Sequence, residues 1–127
     1  MNILLIGPDR EQGTILEQYL KLGHYGKQLE FSHANTMREV VLCVLHETFD
    51  LIVVDPDFPT LGGLGLIKVL EDNVPNTPIV AVHLNPVNRC DFKCPMLCVE
   101  YGAQWHFNRV ADLERVIEWL NVACQSN

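Results

Sequence analysis

Short apolar runs alternate along this chain with longer segments in which apolar residues recur at helical spacing. Runs that are rich in β-branched residues and bounded by Gly, Pro or Asp are typical of strands buried on both faces of a sheet. The predicted strands cover residues 3–6, 29–34, 50–55, 79–83 and 104–107. The second of these is more polar than the others, which favours a position at an edge of the sheet.

The segments between the strands have the apolar stripes of amphipathic helices. Helices are predicted over residues 10–22 and 63–73, in a short segment before Gly102, and after a cap at Asp112. Asn35 or Thr36 can cap a further helix, because both side chains accept hydrogen bonds from the first turn. The positions of that helix predicted to face inward are Val40, Val41, Val44 and Leu45.

This alternation of strands and helices predicts the α/β class, with a parallel sheet and helices on both faces. A chain of 127 residues is long enough for one domain with a sizeable core, so residues 1–127 are predicted to form a single domain. There is no internal repeat, low-complexity tract or linker that would divide it.

Composition narrows the function classes. A net charge of −7 argues against nucleic-acid binding, which favours a basic surface. No apolar run approaches the roughly 20 residues needed to cross a bilayer, and the first residues lack the basic start of a signal peptide. Five cysteines, an odd number, fit reduced thiols better than a disulfide framework. We therefore expect a cytoplasmic protein that binds neither membrane nor nucleic acid.

Asp55 is the principal candidate for a functional residue. It ends a predicted strand with an apolar, β-branched core, Leu51 to Val54, and ligands of open α/β sheets bind in the crevice at the carboxyl ends of the strands. A carboxylate at that position can act as a metal ligand or as a nucleophile. The alternative is a strand-end residue that only forms hydrogen bonds with a neighbouring loop.

The order of these motifs resembles the receiver domain of two-component response regulators. Asp55 falls at the position of the phosphoaccepting aspartate, and Pro59 and Gly63 follow at the spacing of the loop that comes after it. Residues 77–80 and 102–103 resemble the starts of the fourth and fifth strands. The resemblance covers nearly the whole chain and implies a flavodoxin-like (βα)5 fold with strand order 2-1-3-4-5.

The chain departs from the receiver pattern around Asp55. Where receivers have two adjacent acids after the first strand, this sequence has Gly7 and Pro8, with Asp9 one place later.

The Ser/Thr that ends the fourth strand of receivers is replaced by His83 in this sequence. On the fifth strand, His106 stands at the aromatic switch position, and Arg109 stands where receivers have Lys. Of the defining positions, Asp55 alone is intact.

These departures predict a weakened phosphorylation site. Phosphoryl transfer to Asp55 would require Mg²⁺, which prefers oxygen ligands that include one or two carboxylates. Asp9, Asp55 and Asp57 are the candidate ligands, and we expect their affinity for Mg²⁺ to be low.

Arg109 can pair with a phosphoryl group or with Asp55 itself. His83 and His106 flank the same crevice, as hydrogen-bonding groups or as packed core residues.

A second candidate site is the segment that holds Cys90, Cys94 and Cys98. Pro95 is tolerated only in the first turn of a helix, so the helix here is predicted to begin near Asp91 or Cys94. The thiols could serve a metal- or redox-responsive sensor, although the spacing lacks a second tight pair for zinc. The alternative is that they are small buried hydrophobic residues, as is expected for Cys43 and Cys124.

The resemblance predicts a signalling module rather than an enzyme, and no nucleophile–base pair or nucleotide-binding loop contradicts that. The implied partners are proteins, either a sensor kinase or an output domain. The implied contact surface, which could also form a homodimer, consists of the fourth helix, fifth strand and fifth helix.

Overall fold

The computed structural model describes residues 1–22, 29–58, 63–83, 94–103, 105–107 and 115. The helices and strands of this part, in chain order, are β1 (Asn2–Ile6), α1 (Arg10–Lys21), β2 (Glu30–Ala34), α2 (Met37–His46), β3 (Leu51–Val54), α3 (Leu64–Asn73), β4 (Ile79–Val82), α4 (Cys94–Tyr101) and β5 (Trp105–Phe107). Of the helix predicted after Asp112, only Arg115 is among the described residues, and it is helical. Within the described ranges, no helix has both the length and the apolar character needed to cross a membrane.

The five strands form one sheet in the order β2-β1-β3-β4-β5, and every neighbouring pair is parallel. The predicted α/β class and flavodoxin-like strand order are therefore confirmed. The more polar β2 lies at an edge, as its composition predicted. Since β1 lies between β2 and β3, the chain reverses its direction of winding there, and the carboxyl ends of β1 and β3 adjoin one crevice.

β3 is central to the core because all four of its residues are fully buried. Its side chains alternate between the two faces of the sheet. Ile52 and Val54 pack in one apolar cluster with residues of α2 and α3, whereas Leu51 and Val53 pack in another with residues of α1. Burial on both faces holds the strand in one register, so Asp55 emerges at a defined point at its carboxyl end.

The prediction that four residues of α2 face inward is wrong in part. Val40 is buried and Val44 packs against the core, but Val41 is 40% exposed and Leu45 is 70% exposed. Each helical residue is rotated by about 100° from the one before it, so Val41 and Leu45 turn away from the narrow strip around Val40. Cys43 is likewise only partly buried, although it was predicted to be core.

Candidate functional site

Asp55 lies directly after β3 at the carboxyl edge of the sheet and is 1% exposed. Its backbone N–H donates to the carbonyl oxygen of Ile6 at 2.9 Å, which continues the pairing with β1 beyond the strand. Its carbonyl oxygen accepts from the N–H of Phe58 at 3.0 Å, so the chain turns immediately after the aspartate. These bonds fix the backbone from which the Asp55 carboxylate projects.

Asp57 and His83 complete a cluster around this carboxylate. The N–H of Asp57 donates to Oδ1 of Asp55 at 2.9 Å, and Nδ1 of His83 lies 3.3 Å from Oδ2 of Asp57. One ligand atom from each of the three residues can be chosen so that all lie within 4.8 Å of one another. His83 is 7% exposed, whereas the Asp57 side chain is 39% exposed. The cluster therefore has a buried floor and one solvent-accessible carboxylate.

Gly63 closes the loop that follows this cluster. Its φ of 71° lies in the left-handed region, and a Cβ atom there would come within 2.1 Å of the carbonyl oxygen of Pro56. Only glycine fits such a position without displacing backbone. The carbonyl oxygen of Gly63 then accepts from the N–H of Ile67 at 3.0 Å and starts α3. Pro59, the other loop residue of the predicted motif, lies outside the described residues.

The loop between β1 and α1 contributes backbone groups to this edge of the sheet. Gly7 donates its N–H to the carbonyl oxygen of Ala34 at 3.2 Å and accepts from Nδ2 of Asn35 at 3.1 Å. Pro8 is exposed. The Asp9 carboxylate caps α1 by accepting from the N–H of Glu11 at 2.8 Å. Asp9 is thus oriented by its helix cap, and it is not among the residues that cluster with Asp55.

The remaining predicted site residues lie elsewhere or beyond the described part of the chain. His106 is in β5, in register with Ala81 of the neighbouring β4. Arg109 and Cys90 lie outside the described residues. Cys94 and Cys98 belong to α4, which begins at Cys94 with Pro95 in its first turn, as predicted. The thiol cluster therefore stays a prediction.

The proximity of His83 to Asp57 was not foreseen. The sequence had suggested His83 for the phosphoryl pocket and Asp57 for the metal ligands, but 26 residues separate them. The adjacency of β3 and β4 was the signal that could have paired them, because residues that follow neighbouring parallel strands share one edge of the sheet.

Comparisons with known proteins agree with this geometry. No model of a known protein family matches the sequence, and no curated protein does. Among solved structures, the chain is similar to the signal receiver domain of a DNA-binding response regulator from Colwellia psychrerythraea 34H, with a TM-score of 0.81 and 18% identity over 94% of this chain and 97% of that one. It is also similar to a CheY-like receiver domain protein from Methanospirillum hungatei JF-1, with a TM-score of 0.77 and 19% identity over 99% and 98% of the two chains.

A third similar structure is a response regulator from Burkholderia pseudomallei, solved with a phosphorylated aspartic acid, a calcium ion and citrate. The TM-score is 0.72 and the identity 21%, over 88% of this chain and 63% of that one. The strand order and these similarities agree with one another. This chain has the fold of the receiver domains of response regulators, as its motifs predicted.

Proposed function

We propose that residues 1–127 form a receiver-like signalling domain in which Asp55 occupies the phosphoacceptor position but is phosphorylated weakly or not at all. The observation that carries the proposal is the environment of Asp55: a buried carboxylate at the carboxyl end of β3 in a receiver fold, with Gly7 and Pro8 after β1 and the Asp9 carboxylate used to cap α1. Such a domain would act in the cytoplasm through contacts with other proteins rather than as an enzyme.

Weak phosphorylation follows from the ligands that are available to Mg²⁺. Mg²⁺ requires near-octahedral oxygen ligands and neutralises the charge of the transferring phosphoryl group. Asp55 and Asp57 offer two carboxylates, but Gly7 and Pro8 offer none and the Asp9 carboxylate is engaged by the N–H of Glu11. The donor set on the β1 side therefore fits Mg²⁺ poorly.

His83 also changes the pocket. The resemblance implies that a small hydroxyl at this position contacts the phosphoryl group. An imidazole is larger, and here its Nδ1 lies 3.3 Å from the Asp57 carboxylate. A side chain that is buried and already engaged is less able to make that contact. This supports signalling that depends little on phosphorylation.

The Burkholderia structure offers a comparison for the phosphorylated state, since that protein holds a phosphorylated aspartic acid together with a calcium ion. For this chain we propose Asp55 as the residue that would accept the phosphoryl group. The proposed difference is one of degree, because Gly7 and Pro8 supply no carboxylate on the β1 side of the pocket.

The proposed partners are a sensor kinase or an output protein. The resemblance assigns such contacts to the fourth helix, the fifth strand and the fifth helix, and the same surface is the candidate for a homodimer. Met96 and Val99 of α4 are 65% and 53% exposed. Large apolar side chains at the surface support protein contacts there.

A substitution that restores an acid tests the proposal. Pro8 is exposed and stands where receivers have one of their two acids, so Pro8→Asp should strengthen Mg²⁺ binding with little effect on the core. We expect Mg²⁺-dependent phosphorylation by acetyl phosphate, followed by intact mass, to rise about tenfold or more, because the new carboxylate adds an oxygen ligand for Mg²⁺. A tenfold rise corresponds to about 1.4 kcal/mol of stronger Mg²⁺ binding. The matched variant Pro8→Asn, which has nearly the same shape without the charge, should not show this rise.

Two results would count against the proposal. An equal rise in Pro8→Asn would mean that loss of the proline ring matters, rather than the gain of charge. A Pro8→Asp adduct that persists after Asp55→Asn would mean that another residue accepts the phosphoryl group. Loss of the adduct in the double variant supports Asp55.

A further inference from the structure

The Asp55, Asp57 and His83 cluster has a donor set that the receiver resemblance does not account for. It combines two carboxylates with an imidazole, and their ligand atoms lie within 4.8 Å of one another. Asp55 and His83 are at least nine-tenths buried. Two of the three candidate ligands are therefore held in place by the core, and they reach the same point from the ends of β3 and β4.

The separation of His83 and Asp57 suits a small divalent ion. Bonds of about 2.0–2.2 Å to nitrogen and oxygen place neighbouring ligand atoms of a tetrahedral site roughly 3.3–3.6 Å apart. Nδ1 of His83 and Oδ2 of Asp57 are 3.3 Å apart, which is longer than the roughly 2.7–2.9 Å of a strong charge-assisted hydrogen bond. A carboxylate oxygen of Asp55 lies within 4.8 Å of a ligand atom of each, so a small shift of the side chains brings all three into range.

The donor types select among metals. Mg²⁺ strongly prefers oxygen, whereas imidazole nitrogen suits Zn²⁺, Ni²⁺ and Cu²⁺ and raises affinity along the late first-row series. Three protein ligands leave a fourth position, and the exposed side of Asp57 leaves that position open to water or another small ligand. The replacement that removes the hydroxyl expected to contact the phosphoryl group is thus the same one that supplies a nitrogen ligand.

We infer that Asp55, Asp57 and His83 form a binding site for a late first-row divalent metal ion of the Zn²⁺ type. Binding neutralises the two carboxylates and uses one oxygen of Asp55. An ion bound in this way competes with Mg²⁺ for the Asp55 carboxylate. The inference depends on the three side chains and their distances, and it holds whether or not Asp55 is ever phosphorylated.

Titration of the metal-free chain with Co²⁺, used as a spectroscopic substitute for Zn²⁺, tests the site. We expect one equivalent to bind with the visible absorption of a low-symmetry tetrahedral site, and Zn²⁺ to displace it while millimolar Mg²⁺ does not. Asp57→Asn and His83→Gln should each weaken binding about tenfold or more, since loss of even an outer-shell partner costs about 10–100-fold. Asp57 is exposed, so its variant should fold even if the His83 variant does not.

Two controls separate this site from other ligands in the chain. His46→Gln replaces an imidazole at the exposed end of α2 and should leave the affinity unchanged. The triple Ser variant, with Cys90→Ser, Cys94→Ser and Cys98→Ser, should keep the full affinity for Co²⁺, because no thiol is a proposed ligand. Unchanged affinity in Asp57→Asn, or loss of binding in the triple Ser variant, would overturn the inference. Neither result would bear on the Pro8→Asp experiment, which measures phosphorylation in Mg²⁺ alone.

Discussion

Gly63 illustrates how a single residue constrains the loop that follows Asp55. Its left-handed backbone brings it against Pro56, where no Cβ atom can fit. The loop between β3 and α3 therefore depends on glycine at this position, and the aspartates precede that loop. A change at Gly63 should affect both stability and the arrangement of the site.

Replacing Gly63 with Ala should lower the free energy of unfolding by about 2–4 kcal/mol, because the new Cβ clashes with backbone and a positive φ is strained for alanine. Urea denaturation followed by circular dichroism measures this loss. Gly65→Ala, in the first turn of α3, should change stability by no more than about 1 kcal/mol, since alanine favours a helix. Similar losses for the two variants would contradict the proposed role of Gly63.

Glu17 and His33 form a partly buried pair between α1 and β2. Nε2 of His33 lies 2.9 Å from Oε1 of Glu17, and Lys21 lies 3.5 Å from the other carboxylate oxygen. Burial raises the pKa of Glu17, but the hydrogen bond with His33 and the charges of Lys21 and His33 outweigh it, so the net pKa is lowered. A carboxylate whose pKa is lowered in the folded state stabilises that state in its ionised form.

We expect Glu17→Gln to lower the free energy of unfolding by about 0.5–1 kcal/mol at pH 7. The stabilisation by Glu17 is fully present above its unfolded pKa of about 4.3 and is lost as the pH falls through its lower folded pKa. The difference in the free energy of unfolding between the variant and the parent should therefore shrink as the pH falls from about 5 to about 3. Urea titrations of both proteins across this pH range measure it. A difference that stays constant or grows would contradict the assignment. Asp72→Asn, in an exposed pair with Lys68, is the control and should have little effect at any pH.

Helix α2 begins with a reciprocal set of side-chain hydrogen bonds. Oγ1 of Thr36 accepts from the N–H of Glu39 at 3.2 Å, and Oε1 of Glu39 accepts from the Thr36 hydroxyl at 3.3 Å and from the N–H of Asn35 at 3.4 Å. Of the two caps that the sequence allowed, Thr36 is the one observed. Asn35 instead reaches Gly7 and links the loops after β1 and β2.

Thr36→Ala should destabilise the protein by about 1 kcal/mol, because the N–H of Glu39 loses its acceptor at the start of α2. Amide hydrogen exchange should locate the effect in the first turn of α2, with the sheet amides changed only as far as global stability changes. Thr36→Ser keeps the hydroxyl and should cost only a few tenths of a kcal/mol. A loss in the Ser variant as large as in the Ala variant would mean that the Thr methyl group, and not the cap, is responsible.

The strands were easier to predict than the buried faces of the helices. β3 and β4 are short, fully buried runs, so composition alone marks them. In α2 the apolar residues extend around much of the helix, and periodicity shows which side is apolar but not how wide the contact with the sheet is. That width depends on the neighbouring α3 and on the sheet. This explains why Val40 was predicted correctly and Leu45 was not.

Topology assembles the candidate site from residues that are distant in the chain. Because β1, β3 and β4 are parallel neighbours, the segments after them meet at one edge of the sheet. The position of Asp55 at that edge was predictable from its own strand. The contact of Asp57 with His83 was not, because it depends on how two loops turn after their strands and on which way each side chain points.

The same arrangement leads to our proposal that Asp55 lies in a weakened phosphoacceptor pocket, because Gly7 and Pro8 supply no carboxylate on the β1 side. The departures at Gly7, Pro8 and His83 act together, since they remove oxygen ligands and add an imidazole beside one carboxylate. The fold is kept while the chemistry of the pocket changes. We propose that such a domain still acts through contacts with other proteins.

The intact mass of the unaltered chain, after incubation with Mg²⁺ and acetyl phosphate, tests this claim most directly. We predict that only a small fraction carries a phosphoryl group, under conditions in which a receiver with both acids after its first strand is mostly modified. Near-stoichiometric modification that disappears in Asp55→Asn would contradict the account and would mean that this pocket holds Mg²⁺ well enough for ordinary phosphotransfer.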